Sequence, residues 1–320
     1  MSRFSFPDAP GDLIGAHIST KGGLHTVFER AAAIEATSIA LFAKNSNQWK
    51  GKELTDDDVA LFSSLRNASM NRAPILTHAS YLINLATTNP LFHAKSIAAM
   101  IDELDRAERI GSHAVVLHPG AHLGAGPGSG LDQIARSLDQ IHAAIPDHKV
   151  VTLLETAAGQ GSCLGCTFEE LGTIRKLVDD PQRVGICIDT CHIFAAGYEL
   201  RTRDGYERTI DDLERHVGIE HVGAFHLNDS KKGLGSRVDR HQHIGEGELG
   251  LEPFRFVLND PRFARIPKLL ETPKTIETVS DQKNIAALRS LITKETPSPA
   301  PPSPSVPASP SPRGSRKRRS

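Results

Sequence analysis

Residues 226–246, His226-Leu-Asn-Asp229-Ser-Lys-Lys-Gly-Leu-Gly-Ser-Arg237-Val-Asp239-Arg240-His241-Gln-His243-Ile-Gly-Glu246, gather imidazoles and carboxylates into a glycine-broken stretch with too little apolar material for a core. The stretch follows directly on the apolar run His221-Val-Gly-Ala-Phe225, so it reads as a buried strand spilling into a metal site. Imidazole combined with carboxylate suits zinc and related transition metals, and Asp239-x-His241 would set two ligands on one side of an extended segment. Taken alone, the stretch reads almost as well as a solvated charged loop. The elements that would have to position it decide between the two.

Short apolar runs recur along the chain, each ending in a polar residue or turn. They are Leu13–Ser19 (ending at His17), Ser38–Lys44, Pro74–Ser80 (His78), Ala114–Gly120 (His118), Val150–Thr156 (Glu155), Val184–His192 (Asp189 and His192), His221–Asp229 (His226) and Lys268–Pro273 (Glu271). Amphipathic stretches of helical length separate them, at about 23–35, 55–70, 91–110, 131–144, 167–179, 204–217, 251–259 and 278–293. Asn89-Pro90 opens the third of these and Gly111 closes it. Eight alternations of strand and helix predict an α/β fold, a closed parallel (β/α)8 TIM barrel over residues 13–295, with residues 1–12 as an extension. A doubly wound open sheet is the rival, but His17-Ile-Ser-Thr-Lys-Gly-Gly lacks the glycine fingerprint expected after its first strand.

In such barrels the carboxyl ends of the strands carry the chemistry. Five histidines and four acids fall there or in the opening loop: His78, His118, Glu155, Asp189, His192, His226, Asp239, His241 and Glu271. One zinc takes three or four protein ligands, so this number calls for two or three ions with a shared carboxylate. His17 and His243 lie nearer the site than the remaining histidines and are expected to support ligands or touch substrate.

At 320 residues, 39% hydrophobic and 23% charged, the chain can bury a large core. No apolar run is long enough to span a membrane, and Met1-Ser-Arg-Phe-Ser-Phe-Pro-Asp lacks the apolar centre of a secretory signal, so the protein is expected to stay in the compartment where it is made. Formal net charge is −1, but Arg313, Arg316, Lys317, Arg318 and Arg319 lie in an acid-free segment, 296–320, which leaves the preceding residues at −6. That acidic body argues against simple electrostatic binding of nucleic acid unless metal offsets the acids. The segment 296–320 is Pro/Ser-rich with a basic tip and is expected to be a disordered tail, either simply solubilising or serving as a nonspecific DNA tether or, in a eukaryote, a nuclear import signal. Cys163-x-x-Cys166 and Cys187-x-x-x-Cys191 could form a four-thiolate zinc site, but the strand reading of Cys187 favours free thiols in a reducing compartment. Gly124-Ala-Gly126-Pro-Gly128-Ser-Gly130 lacks the lysine and hydroxyl of a phosphate cradle and reads as a flexible loop.

Several motifs together then resemble one family. Gly15-Ala-His17, His78-x-x-Tyr81-Leu82 with Asn84-Leu85, His118-Pro119-Gly120, and Leu154-Glu155-Thr156-Ala157-Ala158-Gly159-Gln160-Gly161 are similar to those of the endonuclease IV class of abasic-site endonucleases. So are Cys187-Ile-Asp189-Thr-Cys-His192, His226-Leu-Asn-Asp229, Arg237-Val-Asp239-Arg240-His241 and Leu270-Glu271-Thr272. The resemblance covers about residues 13–290 and implies a three-zinc barrel, with Mn2+ an option at one position. One ion would sit on His78, His118 and Glu155, a second on Glu155, Asp189, His226 and Glu271, and a third on His192, Asp239 and His241, with Glu155 bridging the first two and holding the attacking water.

The implied substrate is double-stranded DNA bearing abasic sites or blocked 3′ ends, cut on the 5′ side of the lesion by a monomeric enzyme. Its location would be the cytoplasm and nucleoid of a bacterium or the nucleus of a eukaryote. Tyr81 and Leu82 match residues that wedge into the minor groove, and Lys231, Lys232, Arg237 and Arg240 are expected on phosphates. Asn47 departs from the family pattern, which has an intercalating arginine there, leaving Gln48 and Trp49 beside the gap. A sugar isomerase of the same barrel superfamily is the enzymatic rival, and a DNA-damage binder the non-enzymatic one.

Overall fold

Alternation along each strand decides what faces the barrel axis. The computed structural model describes residues 4–274 and 277–293 of the chain. Its strands are β1 (Ile14–His17), β2 (Ser38–Leu41), β3 (Ile75–His78), β4 (Ala114–Leu117), β5 (Val151–Glu155), β6 (Val184–Asp189), β7 (Val222–His226), β8 (Asp229–Ser230), β9 (His241–Gln242) and β10 (Lys268–Leu270). Eight of them pair in parallel and close a barrel in the order β1-β10-β7-β6-β5-β4-β3-β2, while β8 and β9 form a separate antiparallel pair. The helices are α1 (Val27–Ala33), α2 (Asp56–Ser69), α3 (Pro90–Arg109), α4 (Pro127–Ala144), α5 (Phe168–Leu177), α6 (Thr190–Ala196), α7 (Arg203–His216), α8 (Glu252–Leu258) and α9 (Glu277–Ser290). No helix among the described residues is long and apolar enough to cross a membrane.

Two apolar layers hold the barrel. The outer one packs strand residues such as Ile39, Ile75, Val115, Leu154 and Ile186 against Phe28, Phe62, Leu104, Ile134 and Leu171 of the helices. The inner one fills the axis with Ala40, Leu76, Ala114, Val116, Val151, Leu153, Cys187, Ala224 and Leu269. Each fully buried leucine or valine contributes about 1.5–3 kcal/mol. Leu153 fills space that glycines vacate: a Cβ on Gly185 or Gly223 would sit 2.7 or 2.6 Å from its Cδ2. Phe4, ahead of β1, packs against this inner layer from the floor, and the Phe6 ring stands edge-on to His113 at 4.7 Å.

Helix starts follow cap chemistry. The Asn89 carboxamide oxygen accepts the N–H groups of Leu91 and Phe92, at 3.0 and 3.2 Å, and Pro90 occupies the first turn of α3. Thr55 and Asp58 form a reciprocal capping box on α2. Two expectations fail locally. The run Val184–His192 does not stay extended to its end: β6 stops at Asp189, whose carboxylate accepts His192 N–H at 2.9 Å and caps α6, so His192 is helical. The glycine-rich stretch is not all loop either, because Pro127 begins α4 and Gly128 and Gly130 lie in its first turns. The expected tail, 296–320, lies outside the described residues.

Candidate metal centre

The same two-residue period that fills the axis aims the polar side chains above it. One step along the interior face from Leu76, Val116, Leu153, Cys187, Ala224 and Leu269 stand His78, His118, Glu155, Asp189, His226 and Glu271. They form a ring at the carboxyl ends of six strands. His192 reaches the ring from α6, and Asp239 and His241 reach it from the segment that enters β9.

Donor atoms fall within 4.8 Å of one another in three groups that match the three sets expected: His78, His118 and Glu155; Glu155, Asp189, His226 and Glu271; and His192, Asp239 and His241. Glu155 is fully buried and shared, with Oε2 at 3.2 and 3.4 Å from the Nε2 atoms of His78 and His118, and Oε1 at 2.7 Å from His226 Nδ1. His226 Nδ1 also lies 3.2 Å from Glu271 Oε2. Burial opposes ionisation of Glu155, but His118 and His226 hold its carboxyl well below the usual range. Burial also works against a charged His192, yet the carboxylates of Asp189, Asp239 and Glu155 raise it to about 10.

The tautomers show whether these residues fit metal. His78, His192 and His241 each direct Nδ1 at a main-chain oxygen, of Ala79 (2.8 Å), Thr156 (2.9 Å) and Glu271 (3.1 Å). A carbonyl only accepts, so Nδ1 carries the proton and, in the neutral ring, Nε2 is a lone pair. The Nε2 atoms of His192 and His241 lie 3.2 Å from opposite oxygens of Asp239, yet neither is hydrogen-bonded to any described group. Beside a carboxylate each Nε2 must carry either a second proton, which the carboxylates favour at His192, or a metal ion that displaces it, and imidazole with carboxylate suits zinc.

Other groups hold the ligands in place. Asn228 is fully buried; its amide donates to Asp189 Oδ2 at 2.7 Å and its carbonyl accepts Glu271 N–H at 2.8 Å. Thr156 Oγ1 accepts Asp189 N–H at 2.9 Å. His17 Nδ1 lies 3.1 Å from Glu271 Oε1, and beside it a cavity of about 360 Å³ opens, lined in part by Phe42, Tyr81 and Lys274. His243 instead faces Asn284 Nδ2 at 3.0 Å. Sequence reasoning gave Asn228 and Thr156 no role, although a polar residue one or two positions beyond a ligand was the available signal.

Cys187 and Cys191 also approach ligand atoms, but burial pushes both thiols up to about 12, so thiolate is scarce near neutral pH. Cys163 and Cys166 lie in the loop after β5, and no cluster among the described residues joins the four thiols.

Of the residues expected to face DNA, Tyr81 lines the same mouth. Tyr81, just past β3, is 55% exposed, with its ring 5.5 Å from those of Phe42 and His78, and Leu82 is half-buried. Asn47 and Gln48 are exposed in the loop after β2, which is tied to the Tyr81 loop because Ser46 O accepts both Ser80 Oγ–H (2.7 Å) and Tyr81 N–H (3.2 Å). Lys231, Lys232, Arg237 and Arg240 are exposed between β8 and β9, beside Asp239.

Residues 28–292 match the model of the xylose isomerase-like TIM barrel family. A "Probable endonuclease 4" from Trichlorobacter lovleyi is 49% identical over 280 residues, covering 88% of this chain and 99% of that protein. The crystal structure of endonuclease IV from Thermus thermophilus superposes with a TM-score of 0.76 at 36% identity, over 87% of this chain and 98% of that one. A D-tagatose 3-epimerase-like protein matches at a TM-score of 0.66 and 21% identity, over 87% of this chain and 97% of that one, a likeness of fold alone. With its barrel, its three donor groups and relatives this similar over nearly their whole length, the chain belongs to the endonuclease IV family of xylose isomerase-like TIM barrels.

Proposed function

We propose that this chain is a zinc-dependent DNA-repair endonuclease that hydrolyses the phosphodiester 5′ to an abasic site, leaving a 3′-hydroxyl and a 5′-deoxyribose phosphate, and that also clears blocked 3′ ends. The observation that carries the reading is the third donor group, His192, Asp239 and His241, standing beside the paired groups on one rim. A sugar isomerase on this barrel needs only the pair and leaves the third group without a task.

In this reading His78, His118 and Glu155 hold one ion, Glu155, Asp189, His226 and Glu271 a second, and His192, Asp239 and His241 a third. Two or three are zinc, and one position accepts Mn2+. Such ions supply Lewis acidity toward phosphate oxygens and activate water near neutral pH. The chain's own part is geometric: Glu155 joins the first two donor groups, and Asn228 fixes Asp189 and the Glu271 main chain together. Turning the damaged nucleotide out of the duplex costs least where the base is already missing. Tyr81 and Leu82 wedge the opened step, Asn47 and Gln48 face the gap, and Lys231, Arg237 and Arg240 hold phosphates. Residues 13–295 form the catalytic unit, acting as a monomer.

The test is nicking of a duplex oligonucleotide that carries one tetrahydrofuran abasic analogue. Cleavage 5′ to the analogue is expected, lost after prolonged chelation and restored by zinc. Full activity in protein shown by elemental analysis to be metal-free would overturn the reading.

A further inference from the structure

Asp229 is fully buried yet belongs to none of the metal-competent groups among the described residues. Its carboxylate accepts four main-chain N–H groups. Oδ1 takes Ser230 at 2.7 Å and Leu249 at 3.0 Å, and Oδ2 takes Gly245 and Gly247, both at 3.0 Å. Only an ionised carboxylate offers acceptors in all these directions, and charge-assisted bonds of this kind are the strong ones. Glu248 N–H adds a bond to Ser230 O at 2.8 Å. The turn after β9 is thereby clamped onto the first residue of β8. Gly247 is required at the contact, since a Cβ there would meet Asp229 Oδ1 and Ser230 O, each at 2.4 Å.

The clamp matters because of what lies between its ends. The ligands of the paired groups stand at or next to the ends of barrel strands and inherit their places from the core. Asp239 and His241 stand on no barrel strand, and between the clamp's ends their segment is tied to α6 by the N–H groups of Gly235 and Arg237, donated to Phe194 O and Ala195 O at 3.0 and 2.9 Å. They sit on a hairpin whose ladder is two residues long, Asp229 opposite Gln242 and Ser230 opposite His241, and so short a pair is marginal by itself.

We propose that Asp229 is the positioning residue of the third donor group: it fixes the hairpin so that Asp239 and His241 meet His192, which makes occupancy of that group separable from occupancy of the other two. The metal half of this inference rests on the three-ion reading. The hairpin half stands without it.

The test uses the full chain with Asp229→Asn, which keeps the shape but replaces one acceptor oxygen with an NH2 group. Zinc is titrated against a competing chelator, and amide hydrogen exchange is followed in the metal-free protein. The third zinc is expected to weaken about 10–100-fold while the other two bind as in the wild type. Exchange should quicken in 231–250 and stay unchanged in β3 to β6. If D229N does not fold, Gly247→Ala, which keeps the carboxylate and forces the turn off it, is expected to give the same two results. Unchanged exchange in 231–250 together with an unchanged third affinity, or an equal loss at all three groups, would overturn the proposal. Fewer than three ions in the wild type would instead sink the three-ion reading, and the exchange comparison would still decide for or against the clamp.

Discussion

Nε2 of His78 lies 3.2 Å from Oε2 of Glu155, while the other ring nitrogen of His78 faces the main-chain oxygen of Ala79 at 2.8 Å. Nδ1 thus carries a proton, and between Nε2 and the carboxylate stands either a second proton, which Glu155 favours against the cost of burial, or a metal ion that displaces it.

Glu155→Ala removes the one side chain shared by two donor groups. In the three-ion reading bound zinc should fall to two ions per chain at most, and nicking of abasic DNA should drop by at least about 10³-fold, given that metal catalysis supplies several kcal/mol at about 1.36 kcal/mol per tenfold. Elemental analysis and single-turnover nicking check the two halves separately. Wild-type rates in this variant would exclude the mechanism.

Asn47→Arg places a flat cation in the exposed loop that Ser46 ties to Tyr81. Stacking against a base is worth about 1–3 kcal/mol, so affinity for an abasic duplex should rise roughly tenfold, with a smaller gain on undamaged duplex. Tyr81→Ala should act in the opposite direction. Gel-shift titrations at fixed salt measure both, and an Asn47→Arg protein that binds no better shows that the loop does not reach the DNA.

Acid stability should depend on a histidine far from the centre. Burial first and the Arg66 charge second push His113 down to about 4, and its Nδ1 lies 3.2 Å from both the N–H nitrogen and the carbonyl oxygen of Ile75. An unfolded histidine titrates near 6.5, so the native state disfavours the proton. The contribution is complete above about pH 6.5 and is lost as pH falls from there toward 4. Urea midpoints between pH 7 and 4.5 should decline less steeply in His113→Gln than in the wild type, by a difference of about 1–3 kcal/mol. Parallel declines would refute the assignment.

Deleting 296–320 removes five cations and no acid. Site chemistry should be unaffected, whereas DNA affinity should weaken chiefly at low salt, and the slope of log affinity against log salt should shrink by as much as about 4.5. An unchanged slope would dispose of the tether.

The barrel was readable because its strands are short apolar runs that stop at a polar residue: β1, β3, β5, β6 and β7 end on His17, His78, Glu155, Asp189 and His226. Where local chemistry competes with hydrophobicity, the reading failed. Thr190-Cys-His-Ile-Phe continues the apolar run of β6, and only the Asp189 side chain, reaching back to His192 N–H, turns it into a helix. The antiparallel pair β8 and β9 escaped notice because its polar, glycine-rich sequence has no two-residue hydrophobic period. What organises it is Asp229, a single buried charge whose four partners are main-chain groups with no signature of their own.

Because each ligand of the ring sits two residues beyond a side chain that fills the axis, core and centre share one register. A strand threaded one residue out of step would expel Leu76 or Leu153 from the interior and swing His78 or Glu155 into the helix layer. Such a misthreaded chain would lose apolar burial and cation affinity together, so the ions themselves would proofread assembly: only a correctly wound barrel can capture them, and capture then makes that winding harder to undo.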